Sequence, residues 1–170
     1  VQTCALPICL RHDYSFLSDT EENKLVNSNI NLLLEPNTYT VSTGQQLHLF
    51  LGPAFVIYKI LAVIKLAEEL KIKHPDKNFV PIYWLASEDH DFEEIKDSNL
   101  FGHKFTWQTN QTGACGRFNL GEVRPLIEEI KQRVNLNSDK LMFVDELEEI
   151  YSNSKTLSEA TIKIAHKIFG

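Results

Sequence analysis

The sequence predicts an α/β fold in which helices flank a parallel sheet. Three observations support this prediction: residues 38–43 are rich in β-branched and aromatic side chains, a long helical pattern follows them, and residues 79–86 are apolar at every position. A strand, a helix and a second strand in this order are typical of a βαβ unit, in which the two strands run parallel. We therefore expect residues 38–87 to form one such unit with a right-handed crossover.

The first strand is predicted over residues 38–43, because threonine, tyrosine and valine favour extended backbone, and it is expected to end at Gly44. A loop then leads to Gly52 and Pro53, and proline is favoured at the first position of a helix. The predicted helix ends near residue 73, because the residue before the next proline avoids the helical region. One apolar stripe is expected to face the core, formed by Ile57, Ile60, Leu61, Ile64 and Ala67.

The second strand is predicted over residues 79–86. A continuous apolar run of this length is typical of a strand that is covered on both faces. Another strand is predicted over residues 104–109, after an acidic segment at 87–97.

The C-terminal part is predicted to be helical, with helices at 122–135 and 140–152. Ser138 or Asp139 is the expected N-cap of the second of these helices. A last helix is predicted to start with a capping box over residues 156–159. Its apolar stripe consists of Leu157, Ala160, Ile164, Ala165 and Ile168.

The chain divides into three predicted segments. Residues 1–10 show no clear period and hold two of the three cysteines, so we expect them to be a foreign or artefactual leader. Residues 11–37 are polar and asparagine-rich, and they predict a partial N-terminal helical segment. Residues 38–170 are predicted to be the first part of an α/β core. Because the chain stops where such a core normally starts another strand, we expect it to be truncated.

Composition excludes several classes of protein. Of the 170 residues, 43% are apolar, which is enough to bury a core and excludes a largely disordered chain. The net charge of −6 argues against a general binder of nucleic acid or of anionic membranes. No secretory signal and no apolar span of membrane length is present in the sequence, and three cysteines are too few for a disulfide framework. A soluble, cytoplasmic protein is therefore expected.

Two unusual segments follow the predicted strands, at the end of a parallel sheet where ligands bind. The first contains glycines that allow close approach of a ligand, glutamine amides, and a helix N-terminus that favours anions. An ordinary strand–helix loop is the alternative, since the segment is neither a Walker loop nor a G-x-G-x-x-G fingerprint. The candidate binding residues here are Thr43, Gly44, Gln45, Gln46, Gly52 and Pro53, with Lys59 in the following helix.

The second segment comes directly after the apolar strand and consists of Ser87, Glu88, Asp89, His90 and Asp91. Its three carboxylates repel one another unless Mg²⁺, a cationic amine or proton-transfer chemistry compensates the charge. The alternative is a helix N-terminal cap, in which serine and acidic residues are favoured.

Arg117, next to Gly116, is a further candidate for phosphate or carboxylate binding, and a solvated surface arginine is the alternative. Cys115 is expected to be a small buried residue rather than a nucleophile, because no histidine or lysine adjoins it in sequence.

These motifs resemble those of the bacillithiol-biosynthesis cysteine-adding enzyme family (BshC), over roughly residues 38–170. The resemblance rests on three motifs in the family's order and spacing. They are Thr43-Gly44-Gln45-Gln46 with Leu49-Phe50, Gly52-Pro53 and Ile57-Tyr58-Lys59; Pro81 to Trp84 with Ala86-Ser87-Glu88-Asp89-His90-Asp91-Phe92; and Gly113-Ala114 with Gly116-Arg117.

The resemblance implies the first part of a Rossmann-like nucleotide-binding core. It also implies an ATP-dependent ligase that adds cysteine to glucosaminyl-malate in the last step of bacillithiol biosynthesis, with Mg²⁺ as a possible companion of ATP. A homodimer would form through a coiled-coil region that this sequence lacks. Lys59 and Arg117 would stabilise phosphate charge, and the segment Glu88–Asp91 would bind amines, hold Mg²⁺ or accept the proton of the attacking amine.

Two other functions stay open on the sequence. A metal-dependent nucleotidylyltransferase or hydrolase would place a metal on the Glu88–Asp91 cluster. A non-catalytic nucleotide-binding module would keep the fold without the chemistry.

Overall fold

The protein is described by a computed structural model over residues 21–133 and 137–169, with side chains described from residue 24. The predicted leader at 1–10 lies outside the described residues, as does the first part of segment 11–37. In chain order, the elements are α1 (Glu21–Leu32), β1 (Thr38–Gln46), α2 (Ala54–Lys73), β2 (Asn78–Ala86), α3 (Phe92–Ile95), β3 (Asp97–Leu100), β4 (His103–Thr106), α4 (Val123–Arg133), α5 (Ser138–Ser152) and α6 (Leu157–Phe169).

Two compact units share these elements. The first unit contains residues 21–43 and Tyr58–Trp84, and the second contains Gly44–Ile57 and Leu85–Phe169. Two short 3-10 turns, Leu49–Leu51 and Cys115–Arg117, belong to the second unit.

The first unit contains most of the paired strands β1 and β2, up to Thr43 and Trp84. At their beginnings, the Asn78 N–H donates to the Asn37 carbonyl at 3.0 Å, and the rings of Tyr39 and Phe79 stack with centroids 5.8 Å apart. Because both strands begin side by side, they run in the same direction. The prediction of a parallel strand–helix–strand unit is therefore confirmed, whereas the hand of its crossover stays a prediction. β1 continues through Gly44 to Gln46, so the predicted end of this strand was too early.

Helix α2 buries a different stripe from the predicted one. Ile60 and Ala67 are buried as expected, but Leu61 is 47% exposed, and Val56 and Val63 complete the buried face. The helix carries apolar side chains almost all round, so the periodicity alone could not select the buried side.

The expectation that β2 is covered on both faces is wrong for the described residues. Only Val80 is buried in this strand, and Trp84 is 66% exposed. The sheet has two strands in the described part of the chain, so each strand is an edge and few layers are available to cover it.

The second unit contains an antiparallel hairpin of β3 and β4, with Leu100 paired to His103 at its tip. Phe101 and Gly102 form the connection and both have positive φ, which is the geometry of a type I′ turn. β3 was missed because its residues, Asp-Ser-Asn-Leu, have low strand propensity. The strand that was predicted at 104–109 is shorter, since β4 ends at Thr106.

Helices α4, α5 and α6 supply much of the core of the second unit, with fully buried side chains such as Ile127, Ile130, Val144 and Leu157. Lys131 ties α4 to α5, because its Nζ lies 2.7 Å from carboxylates of both Asp145 and Glu148.

The N-cap of α5 is Asn137, whose side chain accepts a hydrogen bond from the Lys140 N–H. The predicted caps, Ser138 and Asp139, are wrong, because these residues already lie inside the helix. The predicted cap of α6 is present in part: Thr156 accepts from the Glu159 N–H, while Glu159 accepts from Lys155 instead of closing the reciprocal bond. Two members of the predicted α6 stripe, Ala165 and Ile168, remain partly or largely exposed.

The observed architecture is thus α/β, with a parallel sheet and flanking helices, as predicted. No helix in the described part of the chain is long and apolar enough to cross a membrane.

Candidate functional site

Two of the predicted motif segments meet in the second unit at a single hydrogen bond. Gln46, the last residue of β1, donates from Nε2 to Oδ2 of Asp89 at 2.6 Å. The other oxygen of Asp89, Oδ1, accepts from the backbone N–H of Asp91 at 3.0 Å. Parallel strands bring their carboxyl ends to the same edge of a sheet, and the two segments follow such ends.

These contacts keep Asp89 ionised. The Asp91 N–H, followed by the Gln46 amide, holds the pKa of the Asp89 carboxyl below its ordinary range, and the neighbouring His90 adds to the same effect. Hydrogen bonds that are donated to a carboxylate favour its charged form. Asp89 is therefore a fixed negative charge, and each of its oxygens accepts a hydrogen bond.

Glu88 is paired with Arg117. One guanidinium nitrogen, Nη2, lies 3.0 Å from each of the two Glu88 carboxylate oxygens. The two side chains are 73% and 76% exposed, so water competes with the ion pair and its net contribution to stability is small. The arginine is thus held near the motif by a contact that an incoming anion can replace.

The loop that carries Arg117 is bound to the acidic segment through the backbone. The Cys115 N–H donates to the Asp89 carbonyl at 2.8 Å, and the Gly116 N–H donates to the Ser87 carbonyl at 3.0 Å. A Cβ atom at Gly116 would lie 2.6 Å from the Ser87 oxygen and would also clash with Oγ of Ser158. Only glycine at position 116 allows the loop to approach this closely. The third motif, which contains Gly116 and Arg117, therefore packs directly against the acidic segment.

The loop between β1 and α2 is folded by a strained turn. Phe50, Leu51 and Gly52 all have positive φ, which is costly for the two non-glycine residues. Tyr151 of α5 supports this conformation, because its hydroxyl accepts a buried hydrogen bond from the Phe50 N–H at 2.8 Å. The side chains of Leu49, Phe50 and Leu51 are buried and anchor the turn.

His48 packs against the back of Gly52. A Cβ atom at Gly52 would lie 2.5 Å from Cβ of His48, so the glycine is required by this contact as well as by its positive φ. Burial lowers the pKa of His48, and the nearby Glu94 opposes the effect. The Nε2 atoms of His48 and Gln45 are 3.5 Å apart.

Several predicted donors of the first motif are already used inside the protein. The Phe50 N–H is bound to Tyr151, and the Gly52 N–H donates to the Leu49 carbonyl at 3.0 Å. Pro53 precedes α2 and has no N–H, so the amide donors left for an anion at this turn are fewer than the sequence suggested.

The remaining predicted site residues are distributed as follows. Gly44, His90 and Asp91 are exposed, and Asp91 starts the single turn of α3 without a side-chain capping bond. The alternative role of the acidic segment as a helix cap is therefore not supported at Asp91. Thr43 and Lys59 belong to the first unit, whereas the site described here is built from the second unit alone.

The arrangement offers distinct chemical groups rather than a metal centre. Among residues 21–133 and 137–169, no three His, Cys, Asp or Glu side chains are grouped so that they could hold a metal ion. Cys115 is buried, and burial together with the charges of Asp89 and Asp91 raises the pKa of its thiol, which favours the small buried role. The site therefore combines a fixed carboxylate, an oriented amide and an ion-paired arginine.

Sequence reasoning missed the residues that support this site from a distance. Tyr151 lies on α5 and contacts the first motif, and Ser158 lies on α6 beside Gly116 of the third motif. No local sequence pattern links these helix residues to the motifs. His48 had a local signal, since it stands between two motif glycines, but its contact with Gly52 depends on the positive φ of the turn.

Comparison with known proteins places these features in one family. The chain matches the family described as "Bacillithiol biosynthesis BshC, N-terminal Rossmann-like domain" over residues 9–170. Several curated relatives carry the name "Putative cysteine ligase BshC". That of Cytophaga hutchinsonii is 42% identical over 151 residues, which cover 89% of this chain and 27% of the relative.

The relative from Christiangramia forsetii is 43% identical over 169 residues, covering 95% of this chain and 30% of the relative. The relative from Flavobacterium johnsoniae is 38% identical over 169 residues, covering 97% of this chain and 31% of the relative. The chain thus spans about three tenths of the length of these relatives. With a match over nearly its whole length, the chain belongs to the BshC family of bacillithiol biosynthesis and corresponds to the family's N-terminal Rossmann-like domain.

Proposed function

We propose that this chain forms part of the active site of an ATP-dependent ligase that joins the carboxyl group of cysteine to the amine of glucosaminyl-malate. The name of the relatives supports a cysteine ligase. The observation that carries the proposal is the 2.6 Å hydrogen bond from Gln46 to Asp89, because it brings two of the family-like motifs into one site.

Amide formation needs an activated carboxyl group, and ATP supplies that activation when it is bound. Arg117 is the group of this site that would bind phosphate charge, after exchanging its exposed partner Glu88 for the ligand. The exchange is inexpensive, since an exposed ion pair contributes on the order of 0–1 kcal/mol. A Mg²⁺ ion that accompanies ATP would take protein oxygens from Glu88 or Asp91, whose side chains are both exposed.

The attacking amine must lose a proton as the amide bond forms. His90 and Asp91 are both exposed beside Asp89 and are the candidate bases. Asp89 is poorly suited to this role, because its hydrogen bonds hold it ionised and make it a weak base. Asp89 would instead orient neighbouring groups and balance the positive charge of an amine.

The experiment uses a chimera in which the 151 aligned residues of this chain replace the matching segment of the Cytophaga hutchinsonii relative. The relative and the chimera are assayed with ATP, cysteine and glucosaminyl-malate, and the product is identified by mass spectrometry. In the chimera, Asp89→Asn and His90→Ala should each reduce cysteine ligation at least about tenfold, whereas the exposed Glu149→Gln should not.

Failure of the unmodified relative to make bacillithiol from these substrates would contradict the proposal. ATP consumption that needs no cysteine would favour a hydrolase or nucleotidylyltransferase instead. Full activity of both the Asp89 and the His90 variants would show that the acidic segment is structural.

A further inference from the structure

We propose that Gln46 is the residue that recognises the primary ammonium group of a substrate, through an amide oxygen that Asp89 holds in place. The substrate class rests on the proposed function, which requires two amine-bearing molecules. The orientation of the amide rests on the geometry alone.

The identity of the atom that faces Asp89 follows from hydrogen-bond chemistry. An ionised carboxylate can only accept hydrogen bonds, so the Gln46 atom 2.6 Å from Oδ2 of Asp89 must be the amide nitrogen. The second bond, from the Asp91 N–H to Oδ1, keeps the carboxylate from turning away. The amide of Gln46 therefore has one orientation, with its oxygen directed away from Asp89.

That oxygen is an available acceptor. Within the described ranges of the chain, Oε1 of Gln46 has no hydrogen-bond partner, and it is not among the buried polar atoms that lack one. The side chain as a whole is half-buried. A donor from a ligand would complete its hydrogen bonding.

The local charge selects the kind of donor. Asp89 is ionised, Asp91 adds a second carboxylate, and the charge of Glu88 is offset by Arg117. A neutral acceptor whose own amide is bound to an ionised carboxylate favours a cationic donor over a neutral or anionic one. A primary ammonium group carries both the positive charge and the N–H donors, and either cysteine or the amino sugar could supply it.

The test is a ligand titration of the ¹⁵N-labelled 170-residue chain at pH 7, followed by NMR. Cysteine is compared with 3-mercaptopropionate, which lacks only the amine, and glucosamine is compared with glucose. We expect a preference of at least about tenfold for the amine-bearing member of one pair, since a hydrogen bond to a charged group contributes that much or more. The pair that shows the preference identifies which substrate amine is bound.

Variants separate recognition from positioning. Gln46→Leu should abolish the preference, because the acceptor is lost. Asp89→Asn should weaken it to a similar extent, because an amide at position 89 no longer fixes which end of Gln46 faces the ligand. The double variant should lose no more than either single variant, since both act on one interaction. Gln108→Leu, an exposed glutamine in the same unit, is the matched control.

Gln46→Met, which keeps the length of the side chain and replaces the amide oxygen with a much weaker thioether acceptor, serves as a second variant if Gln46→Leu does not fold. The inference is wrong if neither amine is preferred, or if the preference survives in a folded Gln46 variant. Because the titration contains no ATP, its outcome does not depend on ligation. An amine preference without ligation would overturn only the proposed function, and ligation without a role for Gln46 would overturn only this inference.

Discussion

An added methyl group at Gly116 would have too little room beside the acidic segment. Gly116→Ala would place a Cβ atom 2.6 Å from the Ser87 oxygen and 2.7 Å from its Cβ, and both belong to the acidic segment. The loop would have to move, and we expect a loss of about 1–3 kcal/mol in the free energy of unfolding. Urea denaturation of the two proteins measures the difference.

Gly121→Ala is the matched control. The nearest atom to a Cβ at position 121 is Oδ1 of Asn119 at 3.5 Å, which is an ordinary contact. The substitution should change the free energy of unfolding by no more than about 0.5 kcal/mol. Equal effects of the two alanines would contradict the close fit at Gly116.

The titration of Asp89 gives a second prediction at this scale. Its pKa in the folded protein lies below the ordinary value of 3.8, so its contribution to stability is present above that value and is lost as the pH falls through the folded pKa. The carboxyl ¹³C shift of Asp89 should therefore show a midpoint below 3.8. Gln46→Leu should raise this midpoint, but not to 3.8, because the Asp91 N–H still donates.

A midpoint at or above the ordinary value in the wild-type chain would show that the two hydrogen bonds do not persist in solution. If the midpoint is the same in the Gln46→Leu variant, Gln46 does not donate a hydrogen bond to Asp89 in solution.

The sequence predicted which segments form the site better than it predicted which of their residues contact each other. The motifs indicated that residues 43–53 and 87–91 lie at one sheet edge, and the Gln46–Asp89 bond joins them. The pairing of Glu88 with Arg117 was not predictable, because the two positions are 29 residues apart and the connection depends on the Cys115–Arg117 turn. Roles within the acidic segment depend on which atoms already have hydrogen-bond partners, and only the three-dimensional arrangement shows this.

Among the elements, the strained turn at Leu49–Leu51 depends on a helix far along the chain. Tyr151→Phe removes the hydroxyl of α5 that accepts from the Phe50 N–H and leaves this buried donor without a partner. The cost should be about 1–3 kcal/mol in the free energy of unfolding, measured by urea denaturation. Tyr58→Phe, at a tyrosine that is 70% exposed, should cost much less.

A neutral result for Tyr151→Phe would mean that water or another acceptor replaces the hydroxyl. In that case, the positive φ angles at Phe50 and Leu51 would have to be held by the burial of the turn alone.

Elements with strong local signals could be predicted, and those without them could not. β1, α2 and β2 have the propensities and the period of their structures, and the βαβ unit followed from their order. β3 carries no such signal, since its pairing with β4 rather than its own composition makes it a strand. The N-cap of α5 was misplaced by one or two residues because Asn137, Ser138 and Asp139 are all capable caps.

At the scale of the whole molecule, the first residues provide a test of where the fold begins. We expect that deletion of residues 1–10 changes the melting temperature by no more than about 2 °C, since poorly patterned termini rarely hold a fold together. The family model matches from residue 9, whereas the Flavobacterium johnsoniae relative aligns with 97% of the chain. Differential scanning calorimetry of the 170-residue chain with and without residues 1–10 provides the measurement, and a larger drop would assign the segment to the fold.

The fold class was predictable because one βαβ unit already specifies parallel strands and a covering helix. The exposure of Trp84 and of the outer side of α2 could not be predicted. An apolar pattern shows which side chains could be buried, but it does not show which elements are present to cover them. The chain spans about three tenths of the length of its curated relatives, so the surroundings of these side chains cannot be read from its own pattern.

The hydrogen bond between Phe50 and Tyr151 also has a consequence for the order in which the protein is made. It joins positions that are 101 residues apart, and contacts of such long sequence separation form only after the cost of closing the loop has been met. On the ribosome, at roughly 5–20 residues per second, Tyr151 is synthesised about 5–20 s after Phe50. During that interval the turn lacks the acceptor that stabilises its left-handed backbone. The turn at Leu49–Leu51 therefore gains this support only after the Tyr151 part of α5 has been translated.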